Sequence, residues 1–376
     1  MPIIIKEVID KNELKKFVVY NIELYNKNPY HVPSLVTDEM MTLSRKKNPA
    51  FDFCESVYFL AYSGNEIVGR IAGIINHRAN ETWNQQYARF SFVDFIDDEE
   101  VSKALFDAVE KWAIEKGMNG IQGPLGFTDL DHEGLLVWGF DLPGTMATTY
   151  SFPYYKEHLA KLGYVKDQDW HEFHIQIPEG LPEKHRRVAE VVQKRYGLKI
   201  KKFKNTKEIW PYAKKIFQLW NEAYKPLYGY SELSPRQIDY YIKMYIPMLR
   251  MELITLIIRE EDDSVIGIGI TLPNLSTALR KTKGKLFPFG WFHLLKAMYG
   301  KGKVVDLYIV GILPEYQNKG INALLFYDLI PVFKKLGYVY AESNPELELN
   351  TKVQSQWLDF ETKHVRTRRA FIKHLK

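Results

Sequence analysis

The sequence predicts an α/β protein with α+β mixed sheets, arranged as two tandem domains. Three observations predict it. At 376 residues the chain is longer than one hydrophobic core ordinarily serves. The order of strand-like and helix-like segments runs through twice. Between the two runs lies the Pro/Gly segment Pro178-Glu179-Gly180-Leu181-Pro182, a natural boundary. The expected division is therefore residues 1–180, a connecting helix within 181–198 that stops at Gly197, and residues 199–376.

In the first run a strand at 3–8 and a helix at 11–25 precede a hairpin, where β-rich stretches at 57–62 and 67–75 flank Ser63-Gly64-Asn65. A strand at 88–96 leads into a helix that opens on Asp97-Asp98-Glu99-Glu100, favourable at a helix N-terminus, and stops at Gly117 before a strand at 120–125. The second run places a strand at 199–203, helices at 207–224 and 235–248, and a hairpin of 253–259 and 265–272. An insertion at 274–302, a strand at 304–312, a helix at 321–336 and a strand at 338–343 follow. Matched by eye, Val93-Asp94 aligns with Val305-Asp306, Gly117 with Gly337, and Gly123-Pro124 with Asn344-Pro345.

Composition narrows the function classes. Apolar residues at 46% and charged residues at 26% exclude a mainly disordered chain. The net charge of +5 gathers in local stretches at 199–204 and 363–376, without a zinc finger, an aromatic RNA-binding signature or a basic zipper, which disfavours a dedicated nucleic-acid binder. An anionic ligand such as a phosphorylated cofactor remains compatible with those stretches. One cysteine, Cys54, forms no intramolecular disulfide, and the N-terminus lacks a signal-peptide pattern, so a cytoplasmic location is expected. No apolar run reaches membrane-spanning length. The aromatic cluster Leu286-Phe287-Pro288-Phe289-Gly290-Trp291-Phe292 reads as buried or interdomain packing rather than as lipid-facing. Oligomeric state is not readable.

The difference between the runs carries the chemistry. Asp94 to Gly117 spans 23 positions and Asp306 to Gly337 spans 31, an excess of eight that falls around 311–320, between a strand and a helix N-terminus. Free backbone N–H groups and the helix dipole converge at such a loop and suit a phosphate or pyrophosphate. Gly320 lets the backbone approach the anion, and Lys319 adds positive charge. In the first run the acidic stretch 97–100 occupies this place and opposes an anion.

Ile312-Leu313-Pro314, followed by Gln317-Asn318-Lys319-Gly320-Ile321-Asn322, resembles the marker of the GNAT superfamily of acyl-CoA-dependent N-acyltransferases. That marker is a strand ending in Val-x-Pro before an (Arg/Gln)-x-x-Gly-x-(Gly/Ala) loop; Asn322 stands where the family has Gly or Ala. The resemblance continues through 338–344 as a strand splaying from 304–312, and through 350–360 as the helix beside the coenzyme. There Trp357 takes the place of a tyrosine that protonates the leaving thiolate, and indole N–H is not an acid near neutral pH. The resemblance implies acetyl-CoA or another acyl-CoA as co-substrate, no metal, and transfer of an acyl group, acetyl first, to a small-molecule or peptide amine. The implied coenzyme contacts are Val310, Gly311, Ile312, Gln317, Asn318, Lys319, Gly320, Ile321, Asn322 and Asn350. In the first run the order of elements and the stretch 153–164 resemble the same superfamily, but the loop motif is missing. It is identified as a degenerate copy that shapes the acceptor site, similar in plan to the Fem peptidyl ligases and N-myristoyltransferases.

In that family strand N–H groups hold the thioester carbonyl, which here implies Val310–Ile312, with Gly311 permitting a bulge that frees them. For a general base Glu342 comes first, then Asp306 and Tyr308; strand alternation puts Asp306, Tyr308 and Val310 on one face. Each also has a structural reading, as an ion pair or a packed aromatic. Asp129, Asp131 and Glu133, in the loop 127–134, suit a cationic amine, but a cap by Thr128 or Asp129 on a helix starting there is the favoured reading. Arg70 and His77, flanking the second hairpin strand, face either the cleft or solvent. His171-Glu172-Phe173-His174 lacks the four-residue histidine spacing of zinc proteases, and no metal site is expected. Two other readings stay open: a non-catalytic ligand-binding or interaction protein that keeps the fold, and an aminoacyl transferase using charged tRNA, which the basic tail would assist.

Overall fold

The computed structural model describes residues 1–376, the side chain of Lys352 excepted. The first half runs through β1 (Ile3–Glu7), α1 (Lys11–Leu24), α2 (Val36–Thr42), β2 (Cys54–Ser63), β3 (Glu66–Asn76), α3 (His77–Trp83) and β4 (Tyr87–Phe95). It continues with α4 (Glu99–Glu115), β5 (Gly120–Gly123), β6 (Leu135–Trp138), α5 (Tyr155–Lys161) and β7 (Val165–Gln176). The second half runs through α6 (Glu183–Tyr196), β8 (Leu198–Lys201), α7 (Thr206–Ile209), α8 (Ala213–Tyr224), α9 (Pro235–Tyr245), β9 (Ile254–Arg259) and β10 (Val265–Pro273). Then come α10 (Ser276–Thr282), α11 (Gly290–Tyr299), β11 (Val304–Ile312), α12 (Asn322–Leu336), β12 (Tyr340–Ser343), β13 (Glu346–Leu347), α13 (Thr351–Ser355) and β14 (Thr362–His374).

Local chemistry sets the element ends. Asp10 caps α1 through the N–H groups of Asn12 and Glu13, and Ser234 and Gln237 form a capping box on α9. Gly64 turns the β2–β3 hairpin at φ +59, and Gly337 ends α12 at φ +83, backbone regions that other residues enter at a cost.

The strands join in one sheet of order β1-β2-β3-β4-β5-β14-β7-β12-β11-β10-β9-β8. Pairing is antiparallel except for β4 with β5 and β11 with β12. The halves exchange their last strands. β14, from the end of the chain, lies against β5 of the first half, while β7 of the first half lies against β12, and the two exchanged strands pair with each other. Helix α4 covers the first half's core with Val101, Leu105 and Val109; α8, α9 and α12 cover the second on opposite faces.

At the exchanged strands a charged cluster is fully buried. Glu172 of β7 accepts from Arg366 at 2.6 Å and from Arg368 at 2.5 Å, both on β14, and Glu342 of β12 pairs with Arg366. The remaining guanidinium donors reach the carbonyls of Pro143 and Thr149. The guanidinium groups hold the Glu172 carboxyl below its usual range against the opposing effect of burial.

The strand register corrects the alignment made by eye. Asp306 pairs with Glu342 where Arg89 pairs with Gln122, so the counterpart of Asp306 is Arg89, not Asp94. Counted from Arg89 the excess falls from eight residues to three: the loop is six residues longer, 313–321 against 96–98, and the stretch from helix start to closing glycine is three shorter, 322–337 against 99–117. The aromatic cluster is not packed inside: Phe287 and Phe289 are each 72% exposed. Arg70, by contrast, is no solvated side chain; it is buried against Asp94 at 2.7 Å and Glu39 at 2.6 Å.

Replacing Glu172 with Leu strips Arg368 of its counter-ion and leaves Arg366 only Glu342. We expect a loss of about 3–5 kcal/mol in urea denaturation; an unchanged midpoint would mean that the exchanged strands hold without the cluster.

Candidate active site between the two halves

β11 and β12 run together from Val304↔Tyr340 to Leu307↔Ser343 and then part. A bulge in the β10–β11 register, between Ile270↔Ile309 and Thr271↔Leu307, leaves Tyr308 as the extra residue. This corrects two expectations. The bulge is at Tyr308 rather than Gly311, which pairs regularly with Ile268 and is small because α8 packs close: a Cβ there would lie 3.0 Å from Leu219. The bulge also breaks strand alternation, so Tyr308 and Ile309 both pack toward α8 and α9, while Val310 packs on the opposite face with Leu324 and Leu325 of α12.

Along the parted edge of β11 the carbonyls are taken by side chains. The amide of Asn344 donates to Tyr308 O at 2.6 Å, the Tyr224 hydroxyl to Val310 O at 3.1 Å, and the Gln317 amide to Ile312 O at 3.1 Å. Leu313 N–H turns the other way, to Ile266 O of β10. By alternation, the N–H groups of Val310 and Ile312 face the opening left by β12. Beyond β11, a 3₁₀ turn at Pro314–Tyr316 leads to Asn318 at φ +60 and Gly320 at φ +78 before α12. Among the described residues nothing accepts from the N–H groups of Asn318, Lys319, Gly320 and Ile321. Lys319 stands over the rings of Tyr316 and Tyr196, at 5.4 and 5.5 Å. A row of unpaired donors at a helix N-terminus, continuous with two more along the strand, fits a diphosphate followed by an amide-bearing arm. Asn350 caps α13, accepting from Val353 N–H at 3.4 Å.

The corresponding place in the first half is closed. Leu125 N–H continues the β4–β5 contact to Phe90 O at 3.0 Å, and a Cβ at Gly123 would lie 2.2 Å from that oxygen. Asp98 caps α4 through Glu100 N–H at 2.8 Å, and Asp97 and Glu99 pair with His158 and Lys161.

The acidic loop leaves the end of β5 and meets the second half near Tyr308. No helix starts here for Thr128 or Asp129 to cap; Thr128–Asp131 form a turn in which Thr128 Oγ1 accepts from Leu130 N–H at 3.3 Å and Asp131 Oδ2 accepts from Phe127 and Thr128 N–H at 2.8 and 3.1 Å. Asp129 Oδ1 and Glu133 Oε1 are sequestered from solvent and have no partner among the described residues. Burial pushes Asp129 up to about 7 and Asp131 to about 6, and raises Glu133 well above the carboxylate range, with the Asp129 charge adding to it. Arg89 braces the loop from below, donating to Gly126 O at 2.9 Å and to Gly229 O of the second half at 2.7 Å.

On β11, Asp306 is buried, accepts from the Asn274 amide at 2.8 Å, and keeps Oδ2 unpartnered; burial raises it to about 7. Tyr308 is pushed up to about 12, chiefly by burial. Glu342 is engaged by Arg366, with His174 at 3.8 Å held neutral, near 4, by its own burial and by Arg366. His77 sits half exposed with Glu55 at 3.0 Å, outside this region. Two groups were missed in the sequence. Glu346, on β13, accepts from the Trp357 indole at 2.9 Å, leaves Oε2 unpartnered, and is raised by burial to about 8. Tyr224 reaches the parted edge of β11. No motif marks either, because both are brought in by chain returning from elsewhere.

Beside Tyr308, on the α8–α9 face, lies a narrow apolar cavity of about 50 Å³. Leu130 of the acidic loop closes one side of it, and Met146, Met248 and Met298 line it with flexible side chains. A larger groove, about 690 Å³, lies between β2 and α4, lined by Arg45, Trp112 and Lys116 among others, and touches none of the groups above.

No protein-family profile matches the chain. It is 27% identical over 371 residues to a bacterial ceramide synthase of Caulobacter vibrioides (strain NA1000 / CB15N), covering 96% of this chain and 95% of that protein. It is 26% identical over 333 residues to Protein YghO of Escherichia coli (strain K12), covering 88% and 84%. Among solved structures it matches a tandem GNAT protein from the clavulanic acid biosynthesis pathway with a TM-score of 0.58 at 11% identity, over 100% of this chain and 99% of that one. A GCN5-related N-acetyltransferase from Sphaerobacter thermophilus matches with a TM-score of 0.52 at 10% identity, over 100% and 96%. Two halves of like order around one mixed α/β sheet, with a parted β11–β12 pair in the second, thus make this chain a tandem protein of the GNAT fold.

Proposed function

We propose that the protein is an acyl-CoA-dependent N-acyltransferase whose acceptor is an amine carrying a long hydrocarbon chain. The observation that carries this reading is a pair of unpartnered carboxylate oxygens, those of Asp129 and Glu133, on the loop whose Leu130 lines an apolar cavity shared with Tyr308 and Ile309 of the parted strand. A cation and an alkyl chain are the two chemistries such a place accepts. The relative named a bacterial ceramide synthase supports it, since a ceramide is the amide of a long-chain amino alcohol.

The N–H groups of Asn318–Ile321 hold the coenzyme's diphosphate, and those of Val310 and Ile312 hold the arm and polarise the thioester carbonyl. Asp129 and Glu133 give up their protons to solvent as the ammonium binds, and Asp129 then takes one proton from it. The neutral nitrogen attacks the carbonyl carbon, the C–N bond forms, the C–S bond breaks, and Asp306 accepts the proton lost by nitrogen. Glu346, protonated near neutral pH, returns a proton to the departing thiolate, the part that Trp357 cannot play. Glu342 acts as counter-ion to Arg366, and the cavity admits a chain as its methionines yield.

The test is amide formation from acyl-CoAs of two to eighteen carbons and a long-chain amino alcohol, read by mass spectrometry together with free thiol release. Neither amide nor thermal stabilisation with any acyl-CoA would sink the reading. Asp129→Asn and Glu133→Gln are expected to raise KM for the amine roughly tenfold with kcat little changed, whereas Asp306→Asn lowers kcat about a hundredfold.

The coenzyme site has its own test. Gly320→Asp puts a carboxylate where the diphosphate lies and a Cβ 2.8 Å from Val188, so Lys319→Glu serves as the variant that leaves the backbone alone. Both should weaken binding of free coenzyme A about tenfold or more in titration calorimetry; unaltered affinity in both would remove the loop from the site.

Raised carboxyls also set a pH dependence. In the native protein Asp129 stays protonated to about 7 and Asp131 to about 6, against 3.8 when unfolded. The native state thus binds more protons between those values, and their contribution to stability falls as pH rises through that window. Amine binding needs the charged form, so KM for the amine is expected to fall as pH rises through 7, with protons released to buffer; a flat profile would contradict the role of Asp129.

A further inference from the structure

Between Asp263 and Asp306 the chain has no acidic residue, while 280–303 carries Arg280, Lys281, Lys283, Lys285, Lys296, Lys301 and Lys303. All seven are exposed, and none pairs with an acidic side chain among the described residues. The same stretch holds the most exposed aromatic surface of the second half. Phe287 and Phe289 precede α11, and Trp291, Phe292, Leu295 and Tyr299 line its outer side, with Phe292 at 54% and Tyr299 at 63% exposure. At 100° per residue these four helix positions span one face, and Leu294, Ala297 and Met298 span another that packs on Val32, Leu275 and Leu279. The helix is thus apolar on two sides, one of them facing out.

We infer that this face, α11 with the loop before it, seats the protein on an anionic lipid surface. Aromatic side chains that enter the headgroup region, ringed by lysines that meet lipid phosphates, are what such a surface binds. A second copy of the chain is a poor occupant, because a two-fold contact would set the seven cations against their own images. The position also has a use, which rests on the proposed acceptor. Met298 belongs to α11 and lines the apolar cavity, and Met248, 45% exposed, lines it from the rim. A long-chain amine dissolved in a bilayer passes from the lipid into the cavity beneath α11 without its chain crossing water.

Vesicle flotation of the full chain tests this without turnover, so it fails or succeeds apart from the enzymatic reading. The parent protein is expected to float with phosphatidylcholine vesicles containing 30% phosphatidylglycerol, much less with pure phosphatidylcholine, and to detach as salt is raised. Phe287→Ser/Phe292→Ser and Lys281→Glu/Lys285→Glu, both on exposed residues away from the cavity, should each lower binding about tenfold or more. With the amine in detergent micelles their acyl transfer should match the parent. Flotation that is absent, or equal on neutral and anionic vesicles, overturns the inference. So does a dimer in light scattering that the Phe variants dissolve, since the face would then be a self-contact.

Discussion

Everything about the site depends on one buried arrangement, the Glu172 carboxylate held between Arg366 and Arg368 at the crossing of β7 and β14. Burying charges is expensive, and the cluster is tolerable only because each group is paired and the spare donors find carbonyls. Its effect is geometric. It fixes the exchange of strands between halves, and so welds two sheets that would otherwise meet only through loops. Glu342, the third strand's contribution, ties β12 into the same cluster one residue before β12 leaves β11. The opening between β11 and β12 is therefore anchored at its closed end by ions and free at the other.

The same weld gives the halves opposite electrostatic tasks. In the second half the end of β11 is edged with N–H donors and runs into a loop of unpaired amides. In the first, Phe90 and Leu125 close the equivalent gap, the helix after it opens on capped acids, and the loop beyond β5 carries carboxylates instead. On the proposed reading an anionic coenzyme and a cationic acceptor approach from different halves. They meet at Tyr308, where the bulge points two consecutive side chains to the acceptor's side. The sheet continuous across both halves brings the acidic loop of the first half against β11 of the second.

How much of this is legible in the sequence follows from the range of the interactions. The α/β class, the two runs and the loop around Gly320 are local patterns, visible as periodicity, turn residues and a spaced motif. The exchange of β7 and β14 is not, because nothing in Thr362–His374 distinguishes pairing with its own half from pairing with β5. The bulge at Tyr308 escaped since a single extra residue leaves no compositional trace, and alternation then assigned Val310 to the wrong face. Asp129 and Glu133 stood out as carboxylates in a loop, but which oxygen is bonded and which is left bare depends on Asp131 reaching back to Phe127 and Thr128. The aromatic cluster before α11 misled for the opposite reason: its composition is that of a core, and only the packing of Leu294, Ala297 and Met298 on its far side shows that the core is already filled.

An acyltransferase for a long-chain amine has to reconcile three solvents in one place: water for the coenzyme's phosphates, hydrocarbon for the chain, and neither for a nucleophile that must shed its proton. Sequestered carboxylates near pH 7 serve the last requirement, because desolvation narrows the gap between their affinity for a proton and the amine's. Desolvation of that kind needs an apolar neighbour, and the cavity behind Leu130 is one. On the reading proposed here, the bare oxygens of Asp129 and Glu133, the narrow cavity and the outward aromatics of α11 are successive stations of one path, graded from charge to oil. The coenzyme comes from the other side of the sheet edge, over exposed loop residues that keep its phosphates in water.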